Sequence, residues 1–399
     1  MSLPVLVLDN PIQNYAWGSR TAIAELLGRP TPSPEPEAEL WIGAHPKAPS
    51  RIAEPKGLGT LDRVIQNDPV GLLGSEVCDR FGNELPFLFK VLAAAEPLSI
   101  QAHPNQQQAR RGWTRENAEG TPLDAARRNY RDLNHKPELV CALTAFVALK
   151  GFRPLDEVAR GLEPLARPEL QSEVGRVSRE RTSAALRALF ARLMTLEPDE
   201  RAPLLKRAAA EAARRSKVEA WRWVKRLLEK HPGDVGALAP LYLNLVTLAP
   251  GEALFLASGE LHAYLEGTAL EIMANSDNVL RGGLTPKHVD VQELLATLVF
   301  DAQELAVLKP EDTGPGETSF KTSAREFELG FLEIAPGNPF AAPGGRGVEI
   351  LLQLEGACRL QSDGGETALE RGRAVLVPAA LASYRLEGEG RIARARVPA

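Results

Sequence analysis

The stretch Leu98-Ser99-Ile100-Gln101-Ala102-His103-Pro104 alternates apolar and polar residues. That is the period of a β-strand, so Ser99, Gln101 and His103 share one face and Leu98, Ile100 and Ala102 the other. The polar face of a strand by default meets water. Here it carries an imidazole and an amide oxygen, both metal donors, and two further segments carry compatible groups. Asn134-His135-Lys136-Pro137-Glu138 sets two basic side chains beside a carboxylate, and Gly259-Glu260-Leu261-His262-Ala263-Tyr264 brings a second imidazole after a turn-forming glycine. A lone histidine is more often a surface or hydrogen-bonded core residue than a ligand. A Gln oxygen, two imidazoles and a Glu together are the mixed nitrogen and oxygen set that suits zinc or another first-row divalent ion. No thiolate belongs to the set, which points to a catalytic metal with an open position and away from a closed structural one.

Such groups need a scaffold that returns a strand across a barrel mouth. From Gly251 the chain reads glycine, five residues, Ala257-Ser258-Gly259, two residues and His262. The spacing resembles the second cupin motif, with Ala257 in place of its proline and Glu266 in place of its usual asparagine. In that motif a strand ends at the glycine turn and the returning strand carries its histidine into a jelly-roll barrel.

Up to about Phe152 the texture is mixed, with apolar strands expected over 87–93 and 139–149 between Gly/Pro turns. From Leu155 to His231 it turns rich in Ala, Leu, Arg and Glu. Leu186, Leu189, Phe190 and Leu193, then Trp221, Val224, Leu227 and Leu228, recur at helical spacing, and His231-Pro232-Gly233-Asp234 ends the second helix. Arg-rich faces such as Arg214-Arg215 have Glu neighbours and read as solvated. Near Phe320 a third region begins, with strands over 348–354 and 374–377 bounded by Gly344-Gly345 and Gly364-Gly365. Gly372, five residues and Pro378 repeat the cupin spacing, yet Ser383 stands where a histidine belongs, and no histidine follows Phe320. The expected fold is mainly β with an α-helical insertion. A cupin jelly-roll catalytic domain takes residues 1–154 and 233–319, a helical domain 155–232, and a second, degenerate jelly roll without metal 320–399.

Several blocks, in order, resemble the type I mannose-6-phosphate isomerase family. They are Gln13-Asn14-Tyr15-Ala16-Trp17-Gly18, Glu39-Leu40-Trp41-Ile42-Gly43-Ala44-His45-Pro46, Leu85-Pro86-Phe87-Leu88-Phe89-Lys90-Val91-Leu92, the Leu98 to Pro104 strand, Asn134 to Glu138, Gly151-Phe152-Arg153, Gly259 to Tyr264, and Asn275-Ser276-Asp277-Asn278-Val279-Leu280-Arg281-Gly282-Gly283-Leu284-Thr285-Pro286-Lys287. The resemblance implies that Gln101, His103, Glu138 and His262 hold one zinc ion and that Arg281 is essential. It also implies the interconversion of mannose 6-phosphate and fructose 6-phosphate through a cis-enediol. That reaction needs a base to move a proton between C1 and C2, and Glu271, Asp277, His135 and Lys136 all lie in or near matching blocks. A carboxylate serves if burial raises its pKa, a lysine if its neighbours lower it. For the phosphate, Ser99, Lys90 and Lys287 are the expected contacts. Arg281 is placed against the reacting oxygens, with Gly282-Gly283 allowing the backbone close to the ligand. Trp17 is available to stack on the sugar.

With 399 residues the chain has room for two or three domains. Lys and Arg number 47 against 52 Asp and Glu, a net charge of −5, which lacks the basic footprint of a nucleic-acid protein. No basic leader with an apolar core and no run of transmembrane length appears, so a cytoplasmic protein with no membrane partner is expected. Three separated cysteines, Cys78, Cys141 and Cys358, do not suggest a disulfide framework. The expected partner is a small sugar phosphate, and a monomer suffices for it. Two other readings stay open. A non-haem iron cupin oxygenase would use a compact two-His, one-carboxylate triad, which a Gln ligand and distant Glu fit poorly; a non-catalytic cupin sugar-phosphate sensor would bind without turnover.

Overall fold

Every residue of the strand Phe87–Ala94 is buried, so both its faces must pack. Phe87, Phe89, Val91 and Ala93 enter a core shared with the carboxy-terminal strands, while on the other face Leu92 packs with Val140 and Tyr264 and Leu88 with Trp41 and Met273. The structure, a computed structural model, describes residues 4–302 and 304–398. Around Phe87–Ala94 an antiparallel sheet runs in the order Ala253–Leu256, Glu138–Ala142, His262–Ala274, Phe87–Ala94, Glu39–Ile42, Ile12–Gln13. The long strand His262–Ala274 belongs to both walls of this barrel. Its second half pairs with Phe87–Ala94, and its first half with Phe146–Phe152 and, at His262, with Ile100–Ala102. The bend between the halves falls at Gly267, whose φ is 118°. A Cβ there would sit 2.5 Å from the Ala145 carbonyl, so only glycine fits.

The strand expected over 139–149 is two strands, Glu138–Ala142 and Phe146–Phe152, lying in different walls. The change of wall occurs at Leu143 and Thr144, whose amides both donate to the Thr268 carbonyl. Since neither residue is Gly or Pro, nothing in the apolar run marks the break.

The helical segment forms as its stripes require, in Leu155–Leu162, Gln171–Glu180, Ser183–Met194, Pro198–Arg214 and Glu219–Lys230. Leu186, Leu189, Phe190 and Leu193, with Trp221, Val224 and Leu227, pack against Leu149, Phe152, Ala263 and Leu265 on the outside of the barrel wall. Arg214 and Arg215 pair with Glu211 at 2.7 and 3.0 Å, a solvated face. Helices also form outside this segment, at Leu61–Asn67, Pro69–Leu73, Ser75–Phe81 and Gln106–Ala118. The first three are too short to show a period. The fourth buries only Ala109, Gly112 and Glu116 and is started by a capping box from Asn105 and Gln108. Strand and helix therefore come out nearly equal, about 31% and 29%.

The second barrel takes in more than the carboxy-terminal region. Its sheet runs Glu311–Gly314, Glu317–Ser319, Glu328–Ile334, Tyr384–Arg396, Glu349–Ser362, Ala374–Val377, and then Leu6–Asp9 and Arg51–Glu54 from the other end of the chain. Val5 and Val7 fill its interior beside Leu351 and Val375, while Leu6 and Leu8 face the core between the barrels. Ser383 is exposed, and a buried ionic network surrounds Glu349. Glu349 accepts from the Tyr384 hydroxyl at 2.9 Å and lies 3.4 Å from both Arg394 and Arg346, and Arg394 also bonds Glu317. Glu349→Ala should leave Arg394 and Arg346 short of their shared carboxylate in a site that is 2% exposed at Glu349. The expected cost is about 3–5 kcal/mol. A drop in thermal midpoint well beyond that of an exposed control such as Glu370→Ala would show it, and an unchanged midpoint would refute it.

Candidate metal centre and active site

Strand register aligns the key side chains before any contact is considered. Gln101 lies opposite His262 on one side and Arg281 on the other, and His262 lies opposite Lys150. Residues directly opposite in a sheet project to the same face. Arg281, Gln101, His262 and Lys150 thus form one row on the inner wall. Glu138 reaches them from the neighbouring wall.

His103, Glu138 and His262 are 1%, 3% and 4% exposed, and one ligand atom of each lies within 4.8 Å of the others. Both rings turn Nδ1 to a carbonyl, His103 to Asn278 at 2.8 Å and His262 to Glu260 at 3.1 Å. A carbonyl only accepts, so Nδ1 holds the proton and Nε2 offers its lone pair. These lone pairs sit 3.3 Å from Glu138 Oε1 and Oε2. Nitrogen lone pairs facing a buried carboxylate repel unless a cation stands among them. Among the described residues the His103 Nε2 has no hydrogen-bond partner, and burial, outweighing the pull of Glu138, lowers its ring to a pKa of about 4, so a proton does not fill the gap at neutral pH. Gln101 donates its Nε2 to Ser99 Oγ at 3.3 Å, which leaves Oε1 as a further donor atom. The set fits a divalent ion. Burial alone would raise the Glu138 carboxyl, but the Lys136 ammonium, 3.1 Å away, holds it well below its usual range.

Asn278, fully buried, ties this centre to the loop before Glu138. Its carbonyl accepts a hydrogen bond from His103 Nδ1, its Oδ1 accepts from the amides of Arg131 and Asp132, and its Nδ2 donates to Asp132 and to the Asn134 carbonyl.

A cavity of about 70 Å³ adjoins the centre and is lined on its far side by Lys90, Glu271, Tyr264 and Glu39. Lys90 donates to Glu271 at 2.8 Å and lies 3.9 Å from Glu39. The Tyr264 hydroxyl donates to the other Glu271 oxygen at 2.8 Å. Burial would lower the Lys90 ammonium, yet Glu271 and Glu39 outweigh it and keep it cationic. Burial, then Glu271, raises the Tyr264 hydroxyl well above its ordinary value, so it stays a donor. Glu39 and Tyr264 were not singled out for chemistry from the sequence. For Glu39 a signal existed: a carboxylate in the wholly buried strand Glu39–Ile42 must have a partner, and the Trp41 indole and Lys90 are its neighbours.

Lys136, Glu271, Ser99, Gln101, Glu138 and His262 thus meet at one cavity, with His103 behind them. Other expected residues are engaged with different partners. Lys90 is at the cavity, but two carboxylates already neutralise it, so it is not a free phosphate cation. His135 turns away to Glu326, 2.8 Å from its Nε2. Asp277 pairs with Lys47 at 2.8 Å and lies 3.7 Å from His45. Burial would raise its carboxyl, but the Lys47 hydrogen bond and His45 bring it down, the wrong direction for a base. Trp17 stacks on Tyr15 with ring centroids 5.7 Å apart and packs against the barrel core. Gly282 packs on Ile100 and Leu261, and Gly283 on Gly236, so the glycine pair admits neighbouring chain and not a ligand. Glu266, in the asparagine place of the motif, pairs with Arg226. Lys287 is exposed. Burial, then Arg131, lowers the Arg281 guanidinium, and burial, then Arg281 and Arg131, lowers the Lys287 ammonium. Among the described residues Arg131, Arg281 and Lys287 have no carboxylate within ion-pairing distance, so their charge is free for an anion.

Residues 5–155 match the family model for the phosphomannose isomerase type I catalytic domain, and residues 342–397 that for the mannose-6-phosphate isomerase cupin domain. The chain is 43% identical over 392 residues to mannose-6-phosphate isomerase of Escherichia coli (strain K12), covering 97% of this chain and 98% of that one. To the mannose-6-phosphate isomerase of Salmonella typhimurium it is 42% identical over 390 residues, again 97% and 98%. A solved zinc-bound mannose 6-phosphate isomerase matches with a TM-score of 0.92 at 41% identity, covering 99% of this chain and all of the other.

Proposed function

The chain belongs to the type I phosphomannose isomerase family, and on that premise we propose how its own residues interconvert mannose 6-phosphate and fructose 6-phosphate. Gln101, His103, Glu138 and His262 hold one zinc ion, which when bound supplies positive charge to polarise the oxygens at C1 and C2 of the open-chain sugar. Glu271 is the base. It takes the proton from C2 of the aldose and returns it to C1, giving the ketose by way of the cis-enediol. Lys90 and Tyr264 aim this carboxylate and leave it spare lone pairs, since a carboxylate offers about four. Lys136 donates a proton to O1 as the enediol forms and recovers one from O2 as the ketone forms, so the atoms balance. Arg281, in the row of Gln101 and His262, stabilises the oxygen that turns negative. Lys287 and Arg131 bind the phosphate, with Ser99 bracing Gln101. The helical segment 155–232 serves as an insertion that backs the inner wall from outside, and the second jelly roll from 320 on includes strands from the start of the chain.

The observation that carries this reading is the unpartnered His103 Nε2 facing Glu138 beside His262, directly against the Lys90, Glu271 and Tyr264 chain. A sensor would not need that second cluster. Purified, zinc-loaded protein should turn mannose 6-phosphate into fructose 6-phosphate in a coupled assay, lose at least about a hundredfold in rate on chelation, and recover with zinc. Binding without turnover would sink the isomerase reading, and full activity after complete zinc removal would sink the role of the metal.

A further inference from the structure

We propose that Glu326 of the second barrel is a positioning residue for the isomerisation, acting through His135 on the segment that carries Lys136 and Glu138. This rests on the functional reading above. Glu326 Oε1 meets His135 Nε2 at 2.8 Å, with the two side chains 14% and 31% exposed. His135 directly precedes Lys136 and Pro137, and Pro137 fixes its own φ and restrains the residue before it, so the position of His135 is passed to Lys136 and Glu138 with little slack.

Both ends of the contact are braced. Glu326 Oε2 accepts from the Arg325 amide at 3.1 Å, and the Arg325 and Pro398 carbonyls accept from Arg80 at 3.0 and 2.7 Å. On the far side of the loop, Asn278 and Ser276 hold Asp132 and the Asn134 carbonyl. The loop is therefore gripped from the catalytic barrel at its start and from the second barrel just before Lys136. Among the described residues no other side chain of residues 311–398 hydrogen-bonds residues 131–137. A barrel with no metal-ligating histidine thus acquires a task in catalysis: it sets where the Lys136 ammonium and the Glu138 carboxylate stand.

The test is a double-mutant cycle on the full-length, zinc-loaded enzyme with Glu326→Ala, His135→Ala and the pair, plus Glu326→Gln. Each single alanine variant should lower kcat about tenfold with little change in KM and should lose zinc faster to a competing chelator, as disturbed outer supports of metal sites do. The double variant should be no worse than either single one, because both remove the same contact. Glu326→Gln keeps an acceptor oxygen for His135 and should restore most of kcat. Wild-type kcat and zinc release in folded Glu326→Ala, or losses that multiply in the double variant, would overturn the proposal. So would a lowered melting temperature with unchanged kcat and zinc release. His135 is partly exposed, so His135→Ala carries the test if Glu326→Ala does not fold. Should the wild-type chain show no isomerisation, the functional reading fails, and zinc release still decides the coupling.

Discussion

His262→Ala is expected to remove zinc and isomerase activity together, with a loss in kcat of more than about a thousandfold. The substitution takes one imidazole from a donor set in which Glu138 stands 3.3 Å from both ring nitrogens. What is left is one imidazole, a carboxylate and an amide oxygen, a set too weak to hold the ion against water. The register adds a second reason: His262 faces Gln101 across the strand pair, so its removal also opens a gap beside the amide ligand. His231, which follows the helix Glu219–Lys230 and is not among the donors, is the control and should lose neither zinc nor rate when changed to alanine. Zinc content by elemental analysis and steady-state rate on the same preparation decide the matter. A metal-replete, fully active His262→Ala protein would show that another residue serves as ligand.

Arg281→Ala is expected to cut kcat by about a hundred- to a thousandfold with a smaller change in KM, the range seen when a donor to a developing oxyanion is deleted. Lys287→Ala should do the reverse, raising KM about tenfold with kcat nearly kept, because a charge-assisted contact to phosphate contributes equally to ground and transition states. The division follows from placement. Arg281 stands opposite Gln101 in the inner row, while Lys287 is exposed. If Arg281→Ala raised KM alone, Arg281 would be the phosphate anchor; near wild-type kinetics would exclude both roles.

Short-range pattern made a great deal of this protein legible. Alternation from Leu98 to Pro104 put Gln101 and His103 on one face, and that face is the inner one. The stripes at 186–193 and 221–228 became helices because an amphipathic period of 3.6 demands a wall to lie on. Glycine spacing up to His262 predicts a returning strand, which is His262–Ala274, and the glycine-bounded strand expected over 374–377 lies in the second sheet.

What the pattern did not contain were pairings between residues distant in sequence. Lys90 and Glu271 lie 181 positions apart, and only their strand register makes one neutralise the other, which leaves Lys90 no free charge for an anion and holds the Glu271 carboxylate at the cavity. His135 and Asp277 sat in motif blocks as plausible bases, but a loop side chain has no period to reveal its direction, and tertiary contacts sent one to Glu326 and the other to Lys47. The membership of Leu6–Asp9 in the second barrel was equally hidden, since a strand's partner is chosen by what remains unpaired after the rest of the chain has packed. Sequence determined the donor types, their faces and the barrel that could gather them, because these depend on local geometry and spacing. Tertiary structure alone decided which charges cancel and which stay free for substrate, because burial and Coulomb attraction act through space between segments the chain brings together only when folded.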